Sequence, residues 1–107
     1  MTDKLNTKYT FEFYDGTSTE LSLRFIDLYK LKAKNRGMYD KYHKCMSNQA
    51  NNKVDELEMV TILYVAYFCA HMDDPEIMTE EEFIMKCGCD RVAVANAIKI
   101  LTQPKKQ

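Results

Sequence analysis

From Leu57 to Met72 the chain runs through Met59, Val60, Ile62, Leu63, Tyr64, Val65, Tyr67 and Phe68 with no wide polar face. A helix that is apolar nearly all round has to be surrounded by neighbouring elements or covered by a partner chain. The segment is therefore expected to be the central element of the fold. Its longest apolar run, Met59 to Ala70, is interrupted only by Thr61. That is well short of the ~18 to 20 residues needed to cross a bilayer. At 107 residues and 46% hydrophobic, the chain has material for one core, which predicts a single domain over 1–107.

The elements that wrap this helix are legible in the periodicity. Tyr9, Phe11 and Phe13 alternate with polar residues, Asp15-Gly16 supplies a turn, and Leu21, Leu23 and Phe25 alternate again, which predicts a β-hairpin over 8–24 with one apolar face. A lone hairpin is only marginally stable, so that face must lie on helices. From Phe25 the period becomes helical. Phe25, Leu28, Tyr29 and Leu31 form one stripe, and Gly37 is placed to close the helix in the left-handed conformation. Met38, Tyr42, Cys45 and Met46 continue at three-to-four spacing toward Ser47, ahead of a polar stretch, Asn48 to Lys53, that reads as a loop.

Capping residues mark the remaining helices. Asp55 precedes the apolar helix, with Glu56 and Glu58 in its first turn. Thr79-Glu80-Glu81-Glu82 matches a capping box for a short helix over 80–87 that Gly88 stops. Asp90 then caps a last helix, Arg91 to Leu101, with Val94, Ala97, Ile98 and Leu101 as its buried stripe. The expected architecture is α+β and mostly α, an N-terminal hairpin packed on a bundle of about five helices. The helical part covers 25–101, and 102–107 is a basic tail.

The formal net charge of −1 gives no overall attraction to nucleic acid or anionic lipid. Charge is nevertheless divided, with +4 over residues 1–54 and −5 over 55–107. Two opposite patches favour self-association, so a homo-oligomer is a possible state, against two simply solvated faces. The 4 cysteines follow no secretory leader, and reduced thiols are expected. Cys69-x-His71 and Cys87-x-Cys89 provide four soft ligands. However, residues i and i+2 of a helix face apart, so no metal site is expected. With two histidines and no nucleophile, zincin or phosphate-loop motif, neither catalysis nor a cofactor is expected.

Two binding readings remain. The 7 methionines and 7 tyrosines suggest an adaptable apolar surface, with Met38, Tyr39, Tyr42 and Met46 its first members because the second helix is weakly amphipathic. Thr79 to Leu101 also has the rhythm of a helix-turn-helix, with Arg91, Asn96 and Lys99 as groove contacts in a DNA-binding regulator. Any short corner between two helices needs the same turn and stripe.

The segments Tyr9-Thr-Phe-Glu-Phe-Tyr-Asp-Gly16, Leu28-Tyr-Lys-Leu-Lys32, Leu57-Glu-Met-Val-Thr-Ile-Leu-Tyr-Val-Ala66 and Thr79-Glu-Glu-Glu-Phe83 with its closing helix cover almost the whole chain. In this order they resemble small tail assembly chaperones of the siphophage type, found in phages and prophages of low-GC Gram-positive bacteria. The resemblance implies a non-catalytic protein of the bacterial host cytoplasm. It would bind the tape measure protein, keep it soluble, help recruit the tail tube protein, and be absent from the mature virion. It also implies a longer frameshifted product, with which Pro104-Lys105-Lys106-Gln107 is compatible. A structural tail or head-tail component is a further alternative.

Overall fold

Thr17 N–H and hydroxyl both donate to the Asp15 carboxylate, at 3.0 and 2.7 Å, which fixes the bend between the first two strands. Gly16, at φ +92°, completes it. Phe13 N–H donates to the Thr17 carbonyl and Gly16 N–H to the Phe13 carbonyl. The loop is thus three residues, Tyr14 to Gly16, a hairpin connection in which glycine takes the left-handed position. It joins β1 (Tyr9–Glu12) to β2 (Ser18–Leu21) in antiparallel register, Tyr9 opposite Leu21 and Glu12 opposite Ser18. Phe11, Phe13, Leu21 and Leu23 are buried.

The computed structural model describes residues 8–51 and 55–102. Of the expected basic tail, 102–107, Thr102 is instead the last residue of α5, and residues 103–107, like residues 52–54 of the expected loop, lie outside the described residues. After the hairpin come α1 (Phe25–Lys34), α2 (Arg36–Ala50), α3 (Glu56–Ala70), α4 (Glu80–Cys87) and α5 (Arg91–Thr102). The protein is a mostly-α member of the α+β class.

Helix α3 occupies the centre, touching α1, α2, α4, α5 and β2. Ile62, Leu63, Tyr64, Val65, Ala66 and Tyr67 are consecutive and all buried, so every direction around the helix is covered. Its N-terminus is closed by a reciprocal capping box, Asp55 with Glu58. Helix α4 has the second capping box, Thr79 with Glu82, and Asp90 accepts from Ala93 N–H at 3.1 Å to start α5. Val94, Ala97 and Ile98 of α5 are buried and Leu101 is half-buried.

Three local expectations are corrected. Gly37 does not close α1; it lies inside the first turn of α2. The break falls at Asn35, whose N–H donates to the Leu31 carbonyl while its side chain accepts from Met38 N–H at 3.1 Å. One asparagine thus ends one helix and caps the next, so no glycine is needed there. Helix α2 also continues through Asn48, Gln49 and Ala50. The Asn48 amide donates to Glu58 at 3.0 Å, a tertiary bond that holds the polar end on α3.

The third correction concerns the α1 stripe. Leu31 is buried and Leu28 half-buried, but Phe25 and Tyr29 are 90% and 74% exposed and Asp27 is buried in their place. The carboxylate of Asp27 accepts from the Ser22 hydroxyl at 2.5 Å and from the Arg24 guanidinium at 2.8 and 3.3 Å. Residues 27, 28 and 31 then share the inner face, and the aromatic pair is turned outward. Ser22 N–H donates to the Ala66 carbonyl at 3.1 Å, so the same junction ties the hairpin to α3.

Burial pushes the Asp27 carboxyl up, but the bonds from Arg24 and Ser22 outweigh it and hold it below its ordinary value of 3.8. A depressed folded-state value contributes stability that is complete above the unfolded-state value and is lost as pH falls through the folded-state one. Asp27→Asn is therefore expected to flatten the acid side of the stability profile below about pH 4, read from urea midpoints at successive pH values. At the hairpin tip, Tyr14 N–H donates to the Lys86 carbonyl at 3.1 Å, and a Cβ on Gly88 (φ +62°, ψ −125°) would meet the Tyr14 ring at 2.9 Å. Gly88→Ala is expected to lower stability by about 2 kcal/mol in the same assay, because strain and a side-chain clash coincide.

Candidate binding surfaces

Met38, Tyr39, Tyr42 and Met46 stand along one side of α2 and are half-buried against the core. Tyr39 and Tyr42 have ring centroids 6.4 Å apart, and Lys32 of α1 lies 5.3 Å above the Tyr39 ring. Burial, with smaller contributions from Cys69 and Tyr39, pushes the Tyr42 hydroxyl up to about 12. These side chains are the seam that fastens α2 to its neighbours, with their outer edges at the surface. A second polar clasp sits beside them: Glu80 accepts from Lys41 at 3.0 Å and from the Thr61 hydroxyl at 2.8 Å, joining α2, α3 and α4.

The larger exposed apolar surfaces lie elsewhere. On α1, Phe25, Ile26 and Tyr29 are 90%, 51% and 74% exposed. Helical phase sets Lys32 on one side of them and Lys30 and Lys34 on the other. On α5, Val92 is 75% and Ile100 44% exposed, and Asn96 stands between them at four-residue spacing. The outward α1 face is not singled out by the hydrophobic pattern, because that pattern assigns Phe25 and Tyr29 to the core. A buried Asp27 is the missing signal.

Between the start of α3, the end of α4 and the start of α5 is an open groove of about 380 Å³. Its apolar lining comes from Leu57, Met59, Val60, Ile84, Val94 and Ala95. Glu56, Asp90 and Arg91 form the polar rim, with Arg91 donating to Glu56 at 2.5 Å.

Arg91, Asn96 and Lys99 are all exposed on α5. Arg91 is engaged with Glu56, and Asn96 and Lys99 share their face with Val92 and Ile100. The packing of α5 is on α3 and β1. Cys69, His71, Cys87 and Cys89 are not brought together, and no group of three metal-ligating side chains occurs among the described residues. His71 is held by Thr19 at 3.0 Å and Asp74 at 2.7 Å. No helix among the described residues is long and apolar enough to cross a membrane. Comparison with known protein families, with curated proteins and with solved structures returns no match.

Cys45, Cys69 and Cys87 are buried and Cys89 is exposed on the groove rim. Burial pushes the Cys69 thiol up to about 12 and Cys87 to about 11, and raises Cys45 as well. Thiolate is the reactive form, so these three are inert in the folded protein. A disulfide reagent at neutral pH is expected to titrate one thiol in the native protein and all 4 in denaturant. Fast reaction of a second native thiol would contradict this packing.

Proposed function

We propose that this protein is a tail assembly chaperone of the siphophage type, acting in the bacterial host cytoplasm and leaving before the virion is complete. Its partners in this reading are the tape measure protein, which it keeps soluble, and the tail tube protein. The observation that carries the reading is the apolar surface left over once the core is filled. Phe25, Ile26, Tyr29, Leu57, Met85, Val92 and Ile100 all stand exposed on a domain of this size. Phe25, Ile26 and Tyr29 share one face of α1, and Val92 and Ile100 one face of α5, and exposed apolar faces with polar borders are where partners bind.

The α5 face suits a helical partner. Val92, Asn96 and Ile100 form an i, i+4, i+8 ridge about 12 Å long, the kind of row that interdigitates with another helix. A tape measure protein, long and largely helical in the resembling family, offers many such faces. Repeated weak contacts along a rod would hold it by avidity. The regulator reading would place phosphates on the same face, where Arg91 is already ion-paired and the ridge carries valine and isoleucine, which favours an apolar partner.

Co-expression with a tape measure protein from the same genome is the test. The account expects the tape measure protein to stay soluble and co-purify, and the double variant Val92→Glu/Ile100→Glu to send it to the pellet while remaining folded by circular dichroism. Aggregation of the tape measure protein with the wild-type chain, together with retardation of a DNA fragment that weakens with salt, would overturn the reading in favour of a regulator.

A further inference from the structure

Asp27, Lys30 and Lys34 recur at three- and four-residue spacing, so they share one face of α1. Asp27 is drawn inward by Ser22 and Arg24, and this face lines an open cavity of about 490 Å³ against the end of α3 and the residue that leads into β1. The walls divide by chemistry. Lys8, Arg24, Lys30 and Lys34 bring cations, while Tyr29, Ala33, Ala70 and Met72 supply apolar surface.

The two carboxylates in the cavity are already engaged. Asp27 accepts from Arg24 and Ser22, and Asp73 accepts from Lys34 at 3.2 Å. That leaves Lys8 and Lys30 as surplus charge. Lys30 is exposed and has no ion pair among the described residues. Lys8 has an exposed partner in Glu20 at 3.9 Å, and a surface pair of that kind contributes little.

We propose that this cavity binds a carboxylate carried on an apolar body about the size of one aromatic amino acid, the carboxylate meeting Lys8 and Lys30 and the body lying on Tyr29, Ala33 and Met72. Its volume is within the range of small-ligand sites, about 300 to 1,000 Å³. Three features select a carboxylate over a phosphate. A phosphate would leave the apolar walls uncovered. Asp27 and Asp73 stand in the same cavity and repel a dianion more than a monoanion. Cys69 and Ala70, the last two residues of α3, also line it, which brings the partially negative end of that helix to the wall. A free small acid and the C-terminal carboxylate of a peptide both carry this chemistry. None of the lining residues belongs to the α5 ridge, so the site stands apart from the chaperone reading.

The test is a titration of the full chain with N-acetylphenylalanine, followed by two-dimensional amide NMR at low salt. The expected result is saturable shifts over residues 29–34 and 69–73, with millimolar affinity that weakens as salt is added. The uncharged amide of the same compound is expected to bind about tenfold more weakly, and so is the acid to the Lys8→Gln/Lys30→Gln variant. Both lysines are exposed, and the unchanged remainder of the spectrum checks that the variant is folded. A tripeptide ending in phenylalanine separates the two sources. Tighter binding of the tripeptide assigns the site to a partner's C-terminus, and weaker binding assigns it to a free acid. The proposal is overturned if the acid gives no saturable shift, or if its amide or inorganic phosphate binds equally well. Shifts confined to the groove at the start of α3 would overturn it too.

Discussion

A helix carrying hydrophobic side chains in every direction must be enclosed, and the rest of this fold is the enclosure of α3. Each neighbour covers a different sector: β2 and α1 near its end, α2 along one side, α4 and α5 along others. Tyr64 and Tyr67 show how closely this jacket is specified. The Tyr64 hydroxyl donates to the Met78 carbonyl at 2.7 Å, and the Tyr67 hydroxyl accepts from Met78 N–H at 2.9 Å. Both phenols therefore stay satisfied while their rings pack against Phe83 with centroids 5.7 and 5.5 Å away. The segment between α3 and α4 is held by the helix it helps to cover.

Enclosure leaves little room for polar groups, and the two fully buried polar side chains are paired. Ser22 and Asp27 are the buried polar side chains among the described residues, and they bond to each other and to Arg24. That junction converts the hairpin into α1 and decides which way α1 faces. Removing one partner would leave another buried and unsatisfied, which costs more than the bond itself contributes.

Much of this was legible in the residues. The apolar run gave away the central helix, the Asp55 cap and the Thr79 capping box marked helix starts, and Asp15-Gly16 marked the hairpin, because each rests on local chemistry. What escaped depends on tertiary partners. Asn35 ends α1 and starts α2 through its own side chain, so Gly37 misled as a stop. Phe25 and Tyr29 have core-like spacing, and only the Ser22–Asp27–Arg24 junction turns them outward. In the same way Met38, Tyr39, Tyr42 and Met46 are drawn onto the core, and the broad apolar surfaces fall to α1, α5 and the groove at the start of α3. Weak amphipathicity in α2 could not distinguish a seam from an open face.

The account makes α3 the buried axis and the faces around it the working surface. Hydrogen exchange of the protein alone and with a helical segment of the tape measure protein reads both at once. The predicted result is that amides of residues 62–69 exchange slowest and only through global unfolding, and that added partner slows residues 91–102 while the centre of α3 is unchanged. Fast exchange across the centre of α3, or partner protection confined to Met38 through Met46, would contradict it.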